Sequence, residues 1–438
     1  MRSKPRPETD VEAGRGSLLV LALLALVVGA AAGAVGAVFR LSLDQADRLR
    51  DALVAAAHGY AFAGFLLVLL VCGAATAVAA WLVRRFSPNA SGSGIPHVEA
   101  VLNGILEPAP IGLAPVKFVG GVLAIGAGLA LGREGPSVQM GAAIAHRIGL
   151  VFRRDWTDCR VLLAAGAGAG LATAFDAPMA GAVFVLEELV RKFEIRIAIA
   201  ALGASATAIS ISRVILGDLP DFHVGALAAA GAGLRPLYFV LGAVAGLAAV
   251  AYNRVLLGTI AVADRLGAWP VELRAGLVGA AVGTLAWFAP GLVGGGDAIT
   301  QRTLAGVGTL ATIPAIFLLR FGLGAVSYAA RTPGGLFAPM LVLGAQLGLM
   351  LGMVCLWAFP AAGIQPEGFA IVGMAAFFTG VVRAPLTGLV LVTEMTASVT
   401  LLLPMLGACF VAMLVPTLLR DPPIYDSLSA KLRGSASR

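Results

Sequence analysis

The sequence predicts an all-α polytopic membrane protein. Three observations carry this. Only 13% of residues are charged, against roughly 25% in an ordinary soluble domain. Hydrophobic residues make up 59%, and they fall into long charge-free runs. Glycine supplies 56 of 438 residues, well above its usual share of about 7%, so many backbone sites need a residue without a side chain. A soluble secreted protein, a nucleic-acid-binding domain and a disordered chain are excluded. The net charge of +7 fits basic residues at cytoplasmic loop ends and gives no reason to expect nucleic acid as a partner. Cys72, Cys159, Cys355 and Cys409 lie far apart in or beside apolar runs and read as small packing residues. His58, His97, His146 and His223 are equally scattered and read as fillers. No cofactor or metal is expected.

Residues 1–16 are polar and carry Arg2, Lys4, Arg6 and Arg15. They read as a cytoplasmic tail. Ser17–Phe39 is free of charge and long enough to span a bilayer core of about 30 Å. It exceeds the roughly 7–15 residues of a signal-peptide core, so a retained helix is expected. Further charge-free runs are Ala52–Val83, Phe118–Gly132, Val161–Phe175, Ile197–Ser212, Pro236–Asn253, Ala275–Gly296, Thr303–Leu319, Thr332–Pro366, Gly368–Val382 and Met395–Leu419. Several are too short to cross alone, or are broken by Gly and Pro. Such segments mark discontinuous helices meeting near the midplane, where irregular backbone survives only when buried or lining a cavity. The pattern argues for transport. The tail at 421–438 holds Lys431, Arg433 and Arg438 and reads as a second cytoplasmic end, which implies an even number of crossings.

Two segments of the first half return in the second. Gly132-Arg-Glu-Gly-Pro136 with Gly141, and Gly335-Leu-Phe-Ala-Pro339 with Gly344, both fit G-x3-P-x4-G at an offset of 203 residues. Ala177-Pro178-Met-Ala-Gly181 leads to Glu187, and Ala384-Pro385-Leu-Thr-Gly388 to Glu394, at an offset of 207. Two related halves are expected, at 17–215 and 225–420. Spacing alone leaves open whether they are parallel or inverted.

Gly92-Ser-Gly-Ile-Pro96, Gly132-Arg-Glu-Gly-Pro136 and Gly335-Leu-Phe-Ala-Pro339 share one grammar: glycine, then proline, then a helix-like stretch. Proline suits the first helical position, and glycine lets the backbone bend and a ligand come close. The result is a helix N-terminus with free N–H groups, which favours an anion. The competing reading is helix capping and tight packing. A phosphate loop is excluded, because no G-x4-G-K-[ST] occurs.

Charged side chains near the bilayer centre cost at least about 2.5–3.5 kcal/mol, so the acids inside apolar stretches carry weight. Glu134 lies within one of the glycine loops, where its carboxylate can take an anion's place and leave it on protonation. A local pair with Arg133 is the alternative. Glu187 and Glu188 precede Arg191 and Lys192 and read either as a solvated helix end or as an internal proton-transfer site. Glu99 is expected to pair with Lys117. Ser93 fits an N-cap or a hydroxyl donor to an anion. Tyr425, taken alone, reads as an interfacial belt tyrosine.

Together, the three motifs resemble the signature motifs of the CLC chloride channel and transporter family, in the family's order. The resemblance spans residues 17–430, and Pro-Ile-Tyr-Asp at 423–426 is similar to the family's central-tyrosine segment. It implies two inverted halves of tilted and broken helices, and a homodimer with one pore per subunit in the lipid bilayer. It implies that Ser93, Tyr425 and the backbone N–H groups of Leu336 and Phe337 bind chloride. It implies that Glu134 is the external gate and proton acceptor, and that Glu188 transfers protons on the inner side. The motif residues Gly92, Gly94, Pro96, Gly132, Gly135, Pro136, Gly335 and Pro339 match. His97, Asp176 and Arg331-Thr332 depart from the pattern and bear on selectivity and pH dependence. The family's regulatory nucleotide-binding-type modules have no counterpart here.

The resemblance thus implies a chloride/proton antiporter in a bacterial inner membrane, with both termini cytoplasmic. The alternative is a voltage- or pH-gated chloride channel of the same fold, in which Glu188 is a bystander. An enzyme is not expected: no H-E-x-x-H occurs, and no histidine lies in a nucleophile motif.

Overall fold

The computed structural model describes residues 8–218, 221–225 and 232–436. The first seven residues of the expected N-terminal tail, with Arg2, Lys4 and Arg6, lie outside the described residues, as does Arg438. The rest of that tail is helical, because α1 starts at Glu8 and continues unbroken through the expected first span to Ala57. The first series of helices is α1 (Glu8–Ala57), α2 (Ala61–Phe86), α3 (Ile95–Leu102), α4 (Leu113–Gly126), α5 (Glu134–Val151), α6 (Trp156–Phe175), α7 (Pro178–Phe184) and α8 (Ile195–Leu216). The second is α9 (Arg235–Arg265), α10 (Val271–Phe288), α11 (Asp297–Leu304), α12 (Ile313–Ala329), α13 (Phe337–Ala358), α14 (Pro366–Val382), α15 (Pro385–Thr396) and α16 (Leu402–Leu418). A final helix, α17 (Ile424–Ala436), follows both.

The second series repeats the first, long helix for long and short for short. Among the described residues, six helical stretches are long and apolar enough to cross a bilayer, while α4, α12, α14 and α16 are apolar but shorter. The breaks have local causes. Gly94 and Gly296 precede α3 and α11 at φ +86° and +102°, a left-handed conformation that glycine adopts without strain. Pro178 and Pro385 open α7 and α15, where a missing N–H costs nothing. Helices α5 and α13 begin two residues before their motif prolines, at Glu134 and Phe337. The prolines therefore stand third in the helix rather than first, still within the turn whose N–H groups lack intrahelical partners.

The core lies on α6 and α14, which are apolar nearly all round and almost wholly buried, as expected for helices surrounded by others. Glycines let them pack closely. A Cβ on Gly141 would collide with the backbone of Gly166 on α6, and one on Gly344 with Gly373 on α14. This is the small-residue packing of membrane helices.

Contacts between the halves show how they are related. Glu187, just past α7, accepts the N–H groups of Leu386 (3.0 Å) and Thr387 (2.7 Å) at the start of α15, together with the Thr387 hydroxyl (2.7 Å). Glu394, near the end of α15, accepts from Met179 (3.0 Å) and Ala180 (2.8 Å) at the start of α7. Equivalent residues exchange equivalent contacts, which is the signature of a two-fold axis. The end of each helix meets the start of the other, so α7 and α15 are antiparallel and the halves are inverted. Gly132 and Gly335 repeat the relation, exchanging N–H···O bonds of 2.9 and 2.7 Å as an antiparallel bridge.

Two buried cations obey the same symmetry. Lys117 on α4 donates to the carbonyls of Ala90 (3.0 Å) and Gly92 (2.7 Å). Arg320 on α12 donates to Leu292 (3.1 Å), Gly294 (2.8 Å) and Gly295 (3.1 Å). Each ties the loop before a short helix, α3 or α11, to the helix that follows. The expected Glu99–Lys117 pair is therefore corrected. Loop carbonyls occupy the ammonium, while Glu99 accepts from the Ser429 hydroxyl (3.1 Å) and pairs with Arg191 (3.4 Å).

Carboxylate caps are worth about 1–2 kcal/mol. Glu187→Ala and Glu394→Ala should each lower stability by about that much, measured by unfolding of the detergent-solubilised protein. Buried acceptors left unpaired cost about 1–3 kcal/mol each. Lys117→Met and Arg320→Met should therefore destabilise more than either cap variant, and Arg320→Met, which strips three carbonyls, should be the worst.

Candidate functional site

The three glycine motifs meet at one place because their loops are hydrogen-bonded to one another. Gly92 donates to Thr332 (3.1 Å) and accepts from Gly334 (3.1 Å). The exchange between Gly132 and Gly335 joins the second motif to the third. The third loop thus lies between the other two, and the starts of α3, α5 and α13 converge on it. Lys117 holds the first loop from behind. The Tyr328 hydroxyl accepts the Ser93 N–H at 3.4 Å.

Glu134 is fully buried at this convergence. Its Oε1 accepts the N–H of Phe337, the first residue of α13, at 2.6 Å. This is a charge-assisted geometry. The carboxylate lies against Gly132 and Gly335, where any Cβ would collide with it. Those two glycines are therefore required by the side chain they enclose. The second oxygen, Oε2, is buried without a hydrogen-bond partner. The alternative local pair with Arg133 does not form. That guanidinium turns away to the Ala174 carbonyl (2.7 Å), Asp297 (2.9 Å) and Asp221 (3.2 Å), and Asp221 also holds Arg40.

Ser93 and Tyr425 are both fully buried. Ser93 makes no cap bond; Gly94 is the N-cap of α3. The burial of Tyr425 corrects its reading as an interfacial tyrosine: α17 starts one residue earlier, at Ile424, and carries it inward. The two side chains interact with each other, and neither hydroxyl has another hydrogen-bond partner among the described residues. Buried hydroxyls with unfilled bonding capacity are costly and mark a place where an acceptor can bind. Gly135 is glycine because a Cβ there would strike Ser93. Phe337 closes the site with an aromatic cluster, its ring centroid 6.3 Å from Phe175, 5.7 Å from Phe184, 4.6 Å from Phe378 and 5.9 Å from Tyr425. Leu336 precedes α13 and is equally buried.

Glu188 lies elsewhere, in a π-helical turn at Val185–Leu189. Such turns recur at functional sites. It is buried, with Arg191 at 3.3 Å. Neither adjacent acid is part of a solvated helix end, because Glu187 is committed to α15. A cavity of about 650 Å³ opens here, lined by Glu187, Glu188, Arg191, Lys192, Arg383 and Pro423 among others. A second, of about 240 Å³, is lined by Asp44, Asp47, Arg50, Gly132, Arg133 and Asp297 among others. One cavity thus reaches the neighbour of Glu134, and the other reaches Glu188 and the segment before Tyr425.

Sequence reasoning missed Tyr328, Arg320, Asp221 and the aromatic ring around Phe337. A signal for Arg320 existed, since it interrupts an apolar helix. The phenylalanines gave none, because an apolar residue in an apolar run carries no information about its neighbours. Of the departures from the resemblance, Asp176 ends α6 in a left-handed conformation and pairs with Arg213 at 3.1 Å. Arg331 pairs with Asp264 at 2.5 Å, and His97 is buried. None touches Glu134.

Residues 75–417 match the family described as "Voltage gated chloride channel". The chain is 36% identical over 443 residues to an "H(+)/Cl(-) exchange transporter ClcA" of Yersinia pestis, covering 97% of this chain and 92% of that one. It is 35% identical over 421 residues to the protein of that name from Salmonella arizonae, covering 94% and 89%. Among solved structures it matches a slow cyanobacterial Cl⁻/H⁺ antiporter with a TM-score of 0.91 and 32% identity, covering 95% of this chain and 99% of that one. With three glycine loops, a buried glutamate at their junction and relatives matched along nearly the whole length, the chain belongs to the voltage-gated chloride channel (CLC) family.

Proposed function

We propose that this protein is a chloride/proton antiporter in which Glu134 is the external gate and proton acceptor. The observation that carries this reading is the 2.6 Å bond from the Phe337 N–H to the Glu134 carboxylate. The start of α13 is an anion site by its free N–H groups and dipole, and a side-chain carboxylate fills it. Chloride and carboxylate compete for the same donors. A proton on Glu134 removes its charge, weakens the charge-assisted bond and lets chloride take the place. The ionised carboxylate and chloride then exclude each other at one position, so proton uptake and chloride entry are linked there, which is the requirement for exchange.

The hydroxyls of Ser93 and Tyr425 and the N–H groups of Leu336 and Phe337 bind chloride. Hydrogen-bond donors without a full positive charge hold the ion yet let it leave. Glu188 passes protons between the inner cavity and the site. The motif glycines Gly92, Gly94, Gly132, Gly135 and Gly335 and the prolines Pro96, Pro136 and Pro339 shape the helix starts. The bacterial relatives, named as exchangers, support exchange over a passive channel. The protein works as a homodimer with one pore per subunit in the bacterial inner membrane. The first repeat is 17–215 and the second 225–420, with cytoplasmic tails at 1–16 and 421–438.

Vesicles reconstituted with the protein and given a chloride gradient should drive protons uphill. Chloride flux without proton movement would overturn the exchange reading. Glu134→Gln should keep chloride flux while abolishing proton coupling, read with a pH electrode and a chloride electrode in one assay. Persistent coupling in that variant would remove Glu134 from its role.

A further inference from the structure

The Arg191 side chain touches both the π-helical turn carrying Glu188 and the helix carrying Tyr425. Its guanidinium reaches Asp426 at 2.5 Å, Glu188 at 3.3 Å and Glu99 at 3.4 Å. These carboxylates come from three elements. Asp426 follows Tyr425 in α17. Glu188 is in the turn. Glu99 is on α3, whose preceding loop holds Ser93, and it also accepts the Ser429 hydroxyl of α17. Arg191 itself adopts φ +54°, a left-handed conformation that is uncommon for a side-chain-bearing residue and persists where the surroundings hold it. It is held there by the π turn, closed by the Val190 N–H on the Val185 carbonyl at 2.9 Å, and by its three anionic partners.

We infer that Arg191 is a positioning residue that couples the protonation of Glu188 to the placement of Tyr425 at the chloride site. This rests on the exchange reading above. When Glu188 is ionised, one guanidinium is shared among three carboxylates on three elements. When Glu188 takes a proton, the arginine is left to Asp426 and Glu99, and its hold on α17 changes. Tyr425 is next to Asp426 in the chain, so a change at one moves the other. The charged groups acting on Glu188 include Arg191 from its own segment, Glu99 from α3 and Asp426 from α17, and Lys192 and Arg383 line the cavity it faces. The adjacent Glu187 is engaged by α15. Arg191 is half exposed in the inner cavity, so it can exchange partners without crossing the core.

The test uses the full chain, with chloride binding measured by calorimetry at neutral and acid pH and the proton-to-chloride ratio measured in vesicles. The wild type should change its chloride affinity with pH, and Glu188→Gln should flatten that part of the dependence assigned to Glu188. Arg191→Gln should flatten the same part, removing a change in chloride affinity of about fivefold or more, the lower range of measured couplings between sites, and should lower the ratio. Arg191→Lys should restore part of both. Asp426→Asn, a change at a half-exposed residue, should uncouple chloride affinity from Glu188 while Glu188→Gln still alters proton transport. It carries the test if Arg191→Gln fails to fold. A wild-type ratio and an unaltered pH dependence of chloride affinity in Arg191→Gln, or in Asp426→Asn where that stands in, would overturn the coupling role and leave the exchange reading intact. A wild type that moves no protons would overturn the exchange reading itself.

Discussion

A bilayer offers no partner to a bare backbone amide, and this constraint organises the whole molecule. Each unsatisfied group in hydrocarbon costs several kcal/mol. A fold that breaks its helices inside the membrane must therefore find an acceptor for every exposed helix start. Here the two-fold relation between the halves supplies many of them. Glu187 and Glu394 cap each other's helices. Gly132 and Gly335 satisfy each other. Lys117 and Arg320 supply donors to loop carbonyls that no helix can reach. In the proposed function the site is the place where this satisfaction is exchangeable: the Phe337 N–H has a carboxylate on a side chain, and a side chain can leave.

That difference separates scaffold from function along the same axis. At the repeat offsets, Glu187 matches Glu394, Lys117 matches Arg320 and Gly132 matches Gly335, so the framework is chemically symmetric. Glu134 instead matches Phe337, and Glu188 matches Met395. The acid of one half meets the backbone donor of the other. A symmetric pathway would treat both membrane faces alike. In the proposed exchange, acids at these two positions of the first half, without counterparts in the second, make the two ends of the proton route unlike.

Much of this was legible in the sequence. Low charge and broken apolar runs specify a membrane transporter, and the two motif repeats specify the halves. Glu134, Ser93 and the glycine loops stood out because each is an anomaly in its surroundings. What stayed hidden depends on contacts between distant segments. The inversion of the halves rests on reciprocal caps, and a glutamate at 187 does not announce that its partner is 200 residues on. Residue types suggest a Lys117–Glu99 pair, but backbone carbonyls occupy the lysine, and carbonyls are invisible to residue-type reasoning. Tyr425, taken alone in Pro-Pro-Ile-Tyr-Asp, suggests an interfacial belt, yet α17 carries it into the core.

The final helix completes the asymmetry, because α17 alone has no counterpart in the repeat. It brings Tyr425 beside Ser93 and Phe337, and Asp426 onto Arg191. A two-fold framework built only from α1–α16 would hold Glu134 at the axis but leave its inner side without a hydroxyl from outside the repeat. Adding one helix at one end breaks the equivalence of the two faces. It does so through Tyr425, beside Phe337, and Asp426, on the arginine that also pairs with Glu188, which in the proposed exchange links the chloride side to the proton side.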